Sequence, residues 1–283
     1  MAQQAGKVEA MQEPGLVVLI DNQPGEGLAG EWGLSLLVAS GGQRWLWDTG
    51  ASRLFLDNAR RLGIDLSEVD GLALSHGHYD HVGGLAALME AGFSGPVVAH
   101  ESVLLHRFSV TAEERREVGV SPPLRALLYD NLRSVEGDHE LAPGLRFATD
   151  IPRRPGACQA IDGLFLDPGG QQPDSLPDDA FLLLETPHGA VVILGCCHSG
   201  LANSLLRASD LLDGGRILGV VGGLHLYKAD VEALEEAATV IEELDISFVA
   251  PGHCTGDAAM AFLEERFPGR ILRMHAGLSL SFA

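Results

Sequence analysis

Residues 75–81 read Ser-His-Gly-His-Tyr-Asp-His, and five of these seven side chains can bind a metal or move a proton. They follow the apolar run Leu72-Ala73-Leu74 and precede Val82-Gly83-Gly84, which opens a second apolar stretch. The pattern predicts a strand, a tight turn filled with ligands, and then a helix. Such a turn projects several imidazoles from one backbone corner. His76, His78, Asp80 and His81 can therefore converge on one or two divalent ions. A polar loop rarely concentrates these residue types so densely without a ligand to hold.

Strands and helices alternate around that turn. Leu16–Ile20 reads as a strand, and Leu34–Ala39 with Arg44–Trp47 as a hairpin about Gly41-Gly42. Ser52 is expected to cap a helix running to Leu62. Leu72–Leu74 is the strand feeding the ligand turn, Val82–Ala91 the helix leaving it, and Pro96–Ala99 a further strand. Residues 105–140 hold a charged cluster and Pro122-Pro123. They read as helix and loop, either a lid over the site or a solvated excursion. The second half expects a strand at Leu145–Thr149, a short one at Leu164–Leu166, and a hairpin of Phe181–Glu185 with Ala190–Leu194. Helices follow at Leu201–Leu212, Val231–Leu244 and Asp257–Phe267, with strands at Ile217–Val221, Ser247–Ala250 and, last, Ile271–Met274. Each half looks like one sheet with helices on its outer face. Two such sheets packed together give an α/β (α+β) fold, a four-layer αββα sandwich. No linker divides the halves, so residues 15–283 are expected to form one domain behind a flexible stretch, residues 1–14.

Composition narrows the function. The 283 residues are 46% hydrophobic, ample for a sizeable core, and carry a formal charge of −20. That field repels phosphate backbones, so nucleic acid is not an expected partner and a small molecule is. The four cysteines form no disulfide framework, which points to a reducing, cytoplasmic setting. Residues 1–7 lack the basic start and apolar core of a signal peptide. No apolar run reaches the roughly 20 residues that span a bilayer, so no membrane role is expected.

Histidine recurs after three later strands: in Gly195-Cys196-Cys197-His198-Ser199-Gly200, in Gly222-Gly223-Leu224-His225, and in Pro251-Gly252-His253-Cys254-Thr255-Gly256. A lone His after a strand is usually structural. Three of them, each beside glycine at a carboxyl end where layered folds gather ligands, point to a site. With His76-Gly77-His78-Tyr79-Asp80-His81 and the strand end Asp48-Thr49-Gly50, the chain resembles the metallo-β-lactamase superfamily. It is similar, more narrowly, to the branch of dihydropterin-ribofuranosylaminobenzene-phosphate synthase-like proteins. That branch shares Ser75 to Leu85, Gly195 to Gly200, Gly222 to Leu226 and Pro251 to Gly256. The resemblance runs from about residue 15 to the C-terminus.

The resemblance implies that His76, His78 and His198 bind one metal, and Asp80, His81 and His253 a second. His225 would stand at the pocket edge as a ligand or substrate contact. Three departures stand out. The segment Phe147 to Arg153 lacks a histidine that many relatives carry, and Cys196 follows Gly195 where many have a bridging aspartate. Cys196 is then a bridging thiolate or a residue beside the ligands. Glu31-Trp32 replaces the branch's usual Glu-His. Imidazole and carboxylate donors favour Zn²⁺, with Mn²⁺ or Fe²⁺ as alternatives.

These residues lead to a metal-dependent hydrolase acting through a metal-bound hydroxide on a small anionic, phosphate-bearing or carboxylate-bearing substrate. Asp80 would orient the hydroxide, and Arg153 would pair with the substrate anion. Two other readings stand beside it. One is a transferase joining a pterin fragment to a phosphoribosyl aromatic amine. The other is a metal-binding sensor without turnover.

Overall fold

The period-2 alternation of side chains decides which layer each residue enters. In the strand Gly15–Ile20, Leu16 and Val18 turn one way, Val17 and Leu19 the other. The same split recurs at Leu36 and Val38 against Leu37, and at Leu182 and Leu184 against Phe181 and Leu183. The computed structural model describes residues 13–283. Most of the stretch expected to be flexible, residues 1–12, lies outside the described residues.

The strands form a seven-stranded and a six-stranded sheet, with a small three-stranded sheet beside them. The larger sheet holds the strands Gly15–Ile20, Ser35–Ser40, Gln43–Trp47, Gly71–Ala73, Val97–Ala99, Leu132–Ser134 and Ser279–Ser281. The second holds Asp138–Ala142, Leu145–Ala148, Phe181–Thr186, Gly189–Leu194, Ile217–Gly223 and Phe248–Gly252. Three cores separate four layers. Val17, Leu37 and Leu46 pack against Phe55 and Leu56 of helix Leu54–Leu62 and Leu88 of helix Leu85–Glu90. Trp45, Trp47 and Val38 meet Phe147, Leu182 and Val191 between the sheets. Val192 and Leu194 pack against Leu205, Ile241 and Leu263 of helices Leu201–Leu211, Val231–Glu243 and Asp257–Arg266. This is the expected αββα sandwich. Both halves contribute to its middle core. Among the described residues, no helix is long and apolar enough to cross a membrane.

The topology puts the carboxyl ends of several strands at one edge. Gly71–Ala73 runs parallel to both its neighbours, and Gly189–Leu194, Ile217–Gly223 and Phe248–Gly252 are parallel and adjacent. Trp47 links the sheets at that edge by donating its indole N–H to the Leu194 carbonyl at 3.2 Å.

Several expected elements differ. Ser52 stands just before the first helix and accepts the Leu54 backbone N–H at 3.2 Å, as expected, although Arg53 occupies the cap position. Ser52 also donates to the Glu31 carboxylate at 2.6 Å, and the helix begins at Leu54. The helix expected at Val82–Ala91 starts earlier, at Tyr79, and breaks at Gly83-Gly84, where two poor helix formers are adjacent. Ile271–Met274 is not a strand. It runs beside Phe248–Gly252, but only Ile271 bridges it, and the last strand is instead Ser279–Ser281, paired with Gly15–Val17. The 105–140 segment divides. Strands Phe108–Val110 and Arg115–Glu117 pair with each other, and the first also with Leu164–Phe165, to form the small sheet at the cavity mouth. Beyond them, helix Pro122–Asn131 places Leu128 in an outer core, and the following strands extend the two large sheets. Only its first third is placed like a lid.

One charged cluster lies within the fold. Arg107, fully buried, donates from Nε to Asp174 at 2.7 Å and from both terminal nitrogens to Asp178 at 2.8 and 2.5 Å. Asp178 also accepts the Gly77 backbone N–H at 2.8 Å, which ties the ion pairs to the ligand turn. Removing one partner of a buried pair leaves the others charged and unpaired. Arg107→Met is therefore expected to cost about 3–5 kcal/mol in urea unfolding. A loss below about 1 kcal/mol, the range of exposed pairs, would contradict this role.

Candidate metal centre

The ligand turn brings imidazoles together as its pattern predicts. His76 Nε2 lies 3.0 Å from His78 Nδ1 and 3.3 Å from His198 Nε2. His81 Nε2 lies 3.2 Å from His253 Nε2, and Asp80 stands 3.6 Å from that same nitrogen. Each of these two sets of three places its donor atoms within 4.8 Å of one another. All six residues are buried.

The outward ring nitrogens show what faces inward. His198 Nδ1 donates to the Ala160 carbonyl at 2.6 Å, and His253 Nδ1 to Asn22 Oδ1 at 3.2 Å. His81 Nδ1 donates to Asp48 at 2.7 Å. Ser75 gives its hydroxyl proton to Asp48 at 2.7 Å, so toward His76 Nδ1, 2.9 Å away, it acts as acceptor. Each of these rings therefore keeps one proton outside and turns its other nitrogen inward. His78 differs: its Nδ1 faces the cluster, and its buried Nε2 has no protein partner. The inward lone pairs of His76 and His198, 3.3 Å apart on two neutral rings, repel unless a cation lies between them. Tetrahedral bonds of about 2.0–2.1 Å set ligands about 3.4 Å apart, so the donors fit Zn²⁺-sized ions.

Electrostatics follow from burial. Burial, with neighbouring imidazoles, pulls His76 and His198 well below the ordinary imidazole value. For His78 the next cause after burial is Arg107. Burial holds His253 down to about 3. These rings are neutral donors at pH 7. Burial opposes charge on His81 too, but Asp48 and Asp80 outweigh it and raise this ring to about 9, so a cation must displace the proton on its inner nitrogen. Burial pushes the Asp80 carboxyl and the Cys196 thiol up; a bound cation acts in the opposite sense.

The backbone is strained where the site is built. Asp48, Cys197, His225 and His253 hold φ of 60°, 61°, 51° and 48°. Such left-handed residues cost about 1–3 kcal/mol each and persist where surroundings over-determine them. Gly77 has a different reason: a Cβ there would collide with the Val103 carbonyl and the Arg107 guanidinium.

The remaining expected residues divide. Cys196 stands between the two sets, its sulfur 3.1 Å from His81 Nε2 and grouped with His76 and His81. His225 lies against His198, ring centres 4.4 Å apart and planes tilted by 49°, at the cavity wall. Arg153 does not line the cavity. Its guanidinium donates to the Leu176 carbonyl at 3.0 Å and reaches Ser199 at 3.4 Å. Arg116 and Lys228 line the cavity instead. Cys197 turns away, toward Ser204.

The side chains that aim the ligands are hard to single out in the sequence. Asp48 accepts from Ser75 N, Ser75 Oγ and His81 Nδ1, each at 2.7 Å. Asp21 accepts the His253 backbone N–H at 2.8 Å. A signal existed for Asp48 alone, an acidic residue ending a buried apolar strand before Thr-Gly. The cavity above the donors measures about 580 Å³. Trp32 and Tyr227 stand at its rim, 47% and 43% exposed and edge to face at 6.1 Å. Arg116 lies over the Tyr79 ring and Lys228 over that of Tyr227.

The fold and these donors are those of a family of metal-dependent enzymes. The chain belongs to the metallo-β-lactamase superfamily, whose sequence pattern matches residues 33–253. One relative is the Methanocaldococcus jannaschii protein named 7,8-dihydropterin-6-methyl-4-(beta-D-ribofuranosyl)-aminobenzene-5'-phosphate synthase. It is 28% identical over 267 residues, 88% of this chain and 90% of that protein. Tm1679, described as a metal-dependent hydrolase of the β-lactamase superfamily, is similar in structure, with a TM-score of 0.82 and 33% identity over 94% of this chain and 98% of its own. A diphosphatase of the PhnP family shares the fold at a TM-score of 0.56 and 15% identity, over 95% of this chain and 98% of that one.

Outer partners of metal-binding imidazoles raise their basicity and fix their orientation. Asp48→Asn is expected to weaken metal binding about 10–100-fold, read by competition with a chromophoric chelator. Unchanged affinity would remove Asp48 from that role.

Proposed function

We propose that the chain is a hydrolase of a small anionic molecule, dependent on two divalent ions, with Zn²⁺ favoured over Mn²⁺ or Fe²⁺. The observation that carries this reading is the inward convergence of lone pairs from rings whose outer nitrogens are already committed. His76, His78 and His198 would hold one ion, and Asp80, His81 and His253 the other. When bound, such ions lower the pKa of water to about 7 and stabilise charge on attacking and leaving oxygens.

The chain's own residues supply the rest. Asp80, which lines the cavity, would accept a proton from the attacking water and keep it oriented. Arg116 and Lys228 would neutralise a phosphate or carboxylate, the part first expected of Arg153. Trp32 and Tyr227 offer ring faces and edges to an apolar or planar part of the substrate. A cavity of about 580 Å³ suits a small molecule rather than a polymer. The net charge of −20 supports the same choice over nucleic acid. Four free cysteines support the cytoplasmic expectation.

A transferase is the second reading. It is favoured by a relative named as a synthase that covers 88% of this chain. Under that reading the ions would stabilise a leaving diphosphate.

A panel of phosphomonoesters, phosphodiesters, diphosphates, lactones and thioesters in ¹⁸O-water separates the two. Hydrolysis incorporates ¹⁸O into product, whereas transfer without label would favour the second reading. Asp80→Asn is expected to lower turnover by about 10²-fold or more, and retained turnover would contradict its role. Lys228→Ala and Arg116→Ala are each expected to raise KM about tenfold with little change in kcat. An unchanged KM would place anion recognition elsewhere.

A further inference from the structure

Cys254 takes no part in the chemistry above, and His225 and Cys196 belong to neither set of three ligands. Each follows one of three adjacent parallel strands: Cys196 after Gly189–Leu194, His225 after Ile217–Gly223, and Cys254 after Phe248–Gly252. The middle strand ends in Gly223, where a Cβ would come within 2.6 Å of Cys254 Sγ. Only glycine there leaves room for the Cys254 thiol. The sulfurs of Cys196 and Cys254 and a ring nitrogen of His225 consequently lie within 4.8 Å of one another.

Three further observations point to a ligand. All three residues line the cavity, so an ion can reach them. His225 Nδ1 is buried without a hydrogen-bond partner. The hydrogen bond recorded for Cys254 Sγ is a long one, 3.7 Å to the Cys196 carbonyl. A disulfide is a poor alternative. The strands carrying the two cysteines are separated by two inter-strand steps of about 4.8 Å each. That exceeds the roughly 4.4–6.8 Å between α-carbons that a disulfide spans. A cation with Zn–S-like bonds of about 2.3 Å, in contrast, sets two thiolates about 3.8 Å apart.

We propose that Cys196, Cys254 and His225 form a third, thiophilic cation position that shares Cys196 with the imidazole sets. Two thiolates and an imidazole select Zn²⁺ or Cu⁺ over Mg²⁺, Ca²⁺ or Mn²⁺. The position rests on reading the imidazole cluster as a metal centre, and its test separates the two ideas.

The full-length apoprotein is titrated with Co²⁺ and followed by absorption. Visible d–d bands report cobalt bound in any of these positions, those of thiolate-bound cobalt lying at longer wavelength than those of cobalt held by imidazole and carboxylate, and a near-ultraviolet sulfur-to-cobalt band reports thiolate ligation. Wild type is expected to show both, and Cys254→Ser to lose about one equivalent of Co²⁺ and half or more of the thiolate band while keeping the shorter-wavelength visible bands. An unchanged thiolate band and stoichiometry in Cys254→Ser would overturn the third position and leave the imidazole centre standing. Absence of the visible bands from wild type would overturn both. Should Cys254→Ser fail to fold by circular dichroism, X-ray absorption of the wild-type cobalt protein decides. Two sulfur scatterers at about 2.3 Å on one ion support the position, and one or none overturns it.

Discussion

Commitment of the outward ring nitrogens is the constraint on which the site depends. An imidazole with both nitrogens free can satisfy itself in many ways. Here Asp48, Ala160, Asn22 and Ser75 each take one nitrogen, so the other faces the centre, as a lone pair on the neutral rings and on His81 once a cation displaces its proton. Several inward lone pairs are unfavourable together and become favourable with a cation. The tethers thus convert polar side chains into an ion-binding cage. Asp48 is the hub, holding His81 and the Ser75 backbone and hydroxyl at once.

The four-layer fold makes this arrangement affordable. The tethers come from distant parts of the chain, and they meet because both sheets end their parallel strands at one edge. The Trp47 bond to Leu194 joins the sheets there, and the middle core of Trp47, Phe147 and Val191 keeps them in register. Arg107 and Asp178 hold the Gly77 peptide from behind. The left-handed backbone at Asp48, Cys197, His225 and His253 is the cost of aiming side chains from strand ends.

Much of this was legible because alternation and ligand density are local signals. Buried strands such as Leu16–Ile20 and the Phe181–Leu194 hairpin announce themselves by composition, and the His76-to-His81 turn by its donors. The resemblance supplied the partners of that turn, since no local pattern ties His198 or His253 to a corner more than a hundred residues away. Illegible parts depend on tertiary context. Ser52 serves its own helix and also donates to Glu31, a bond that no local pattern marks. Ser279–Ser281 is a strand only because the edge of Gly15–Ile20 is there to pair with it. Arg153 and Arg116 are both arginines outside the strong sequence patterns, and only the path of the small sheet puts the second at the cavity. Asp48 reads from sequence as a turn residue; its role appears once the strand beside it delivers Ser75.

The most direct measurement is the metal content of protein purified in the presence of Zn²⁺ and freed of loosely held ions. At least two ions per chain with nitrogen or oxygen neighbours near 2.0–2.1 Å by X-ray absorption are expected from the two sets of three donors, and a further one with sulfur neighbours near 2.3 Å from the thiolate position. A chain that retains none would contradict a cation at the meeting point of these rings.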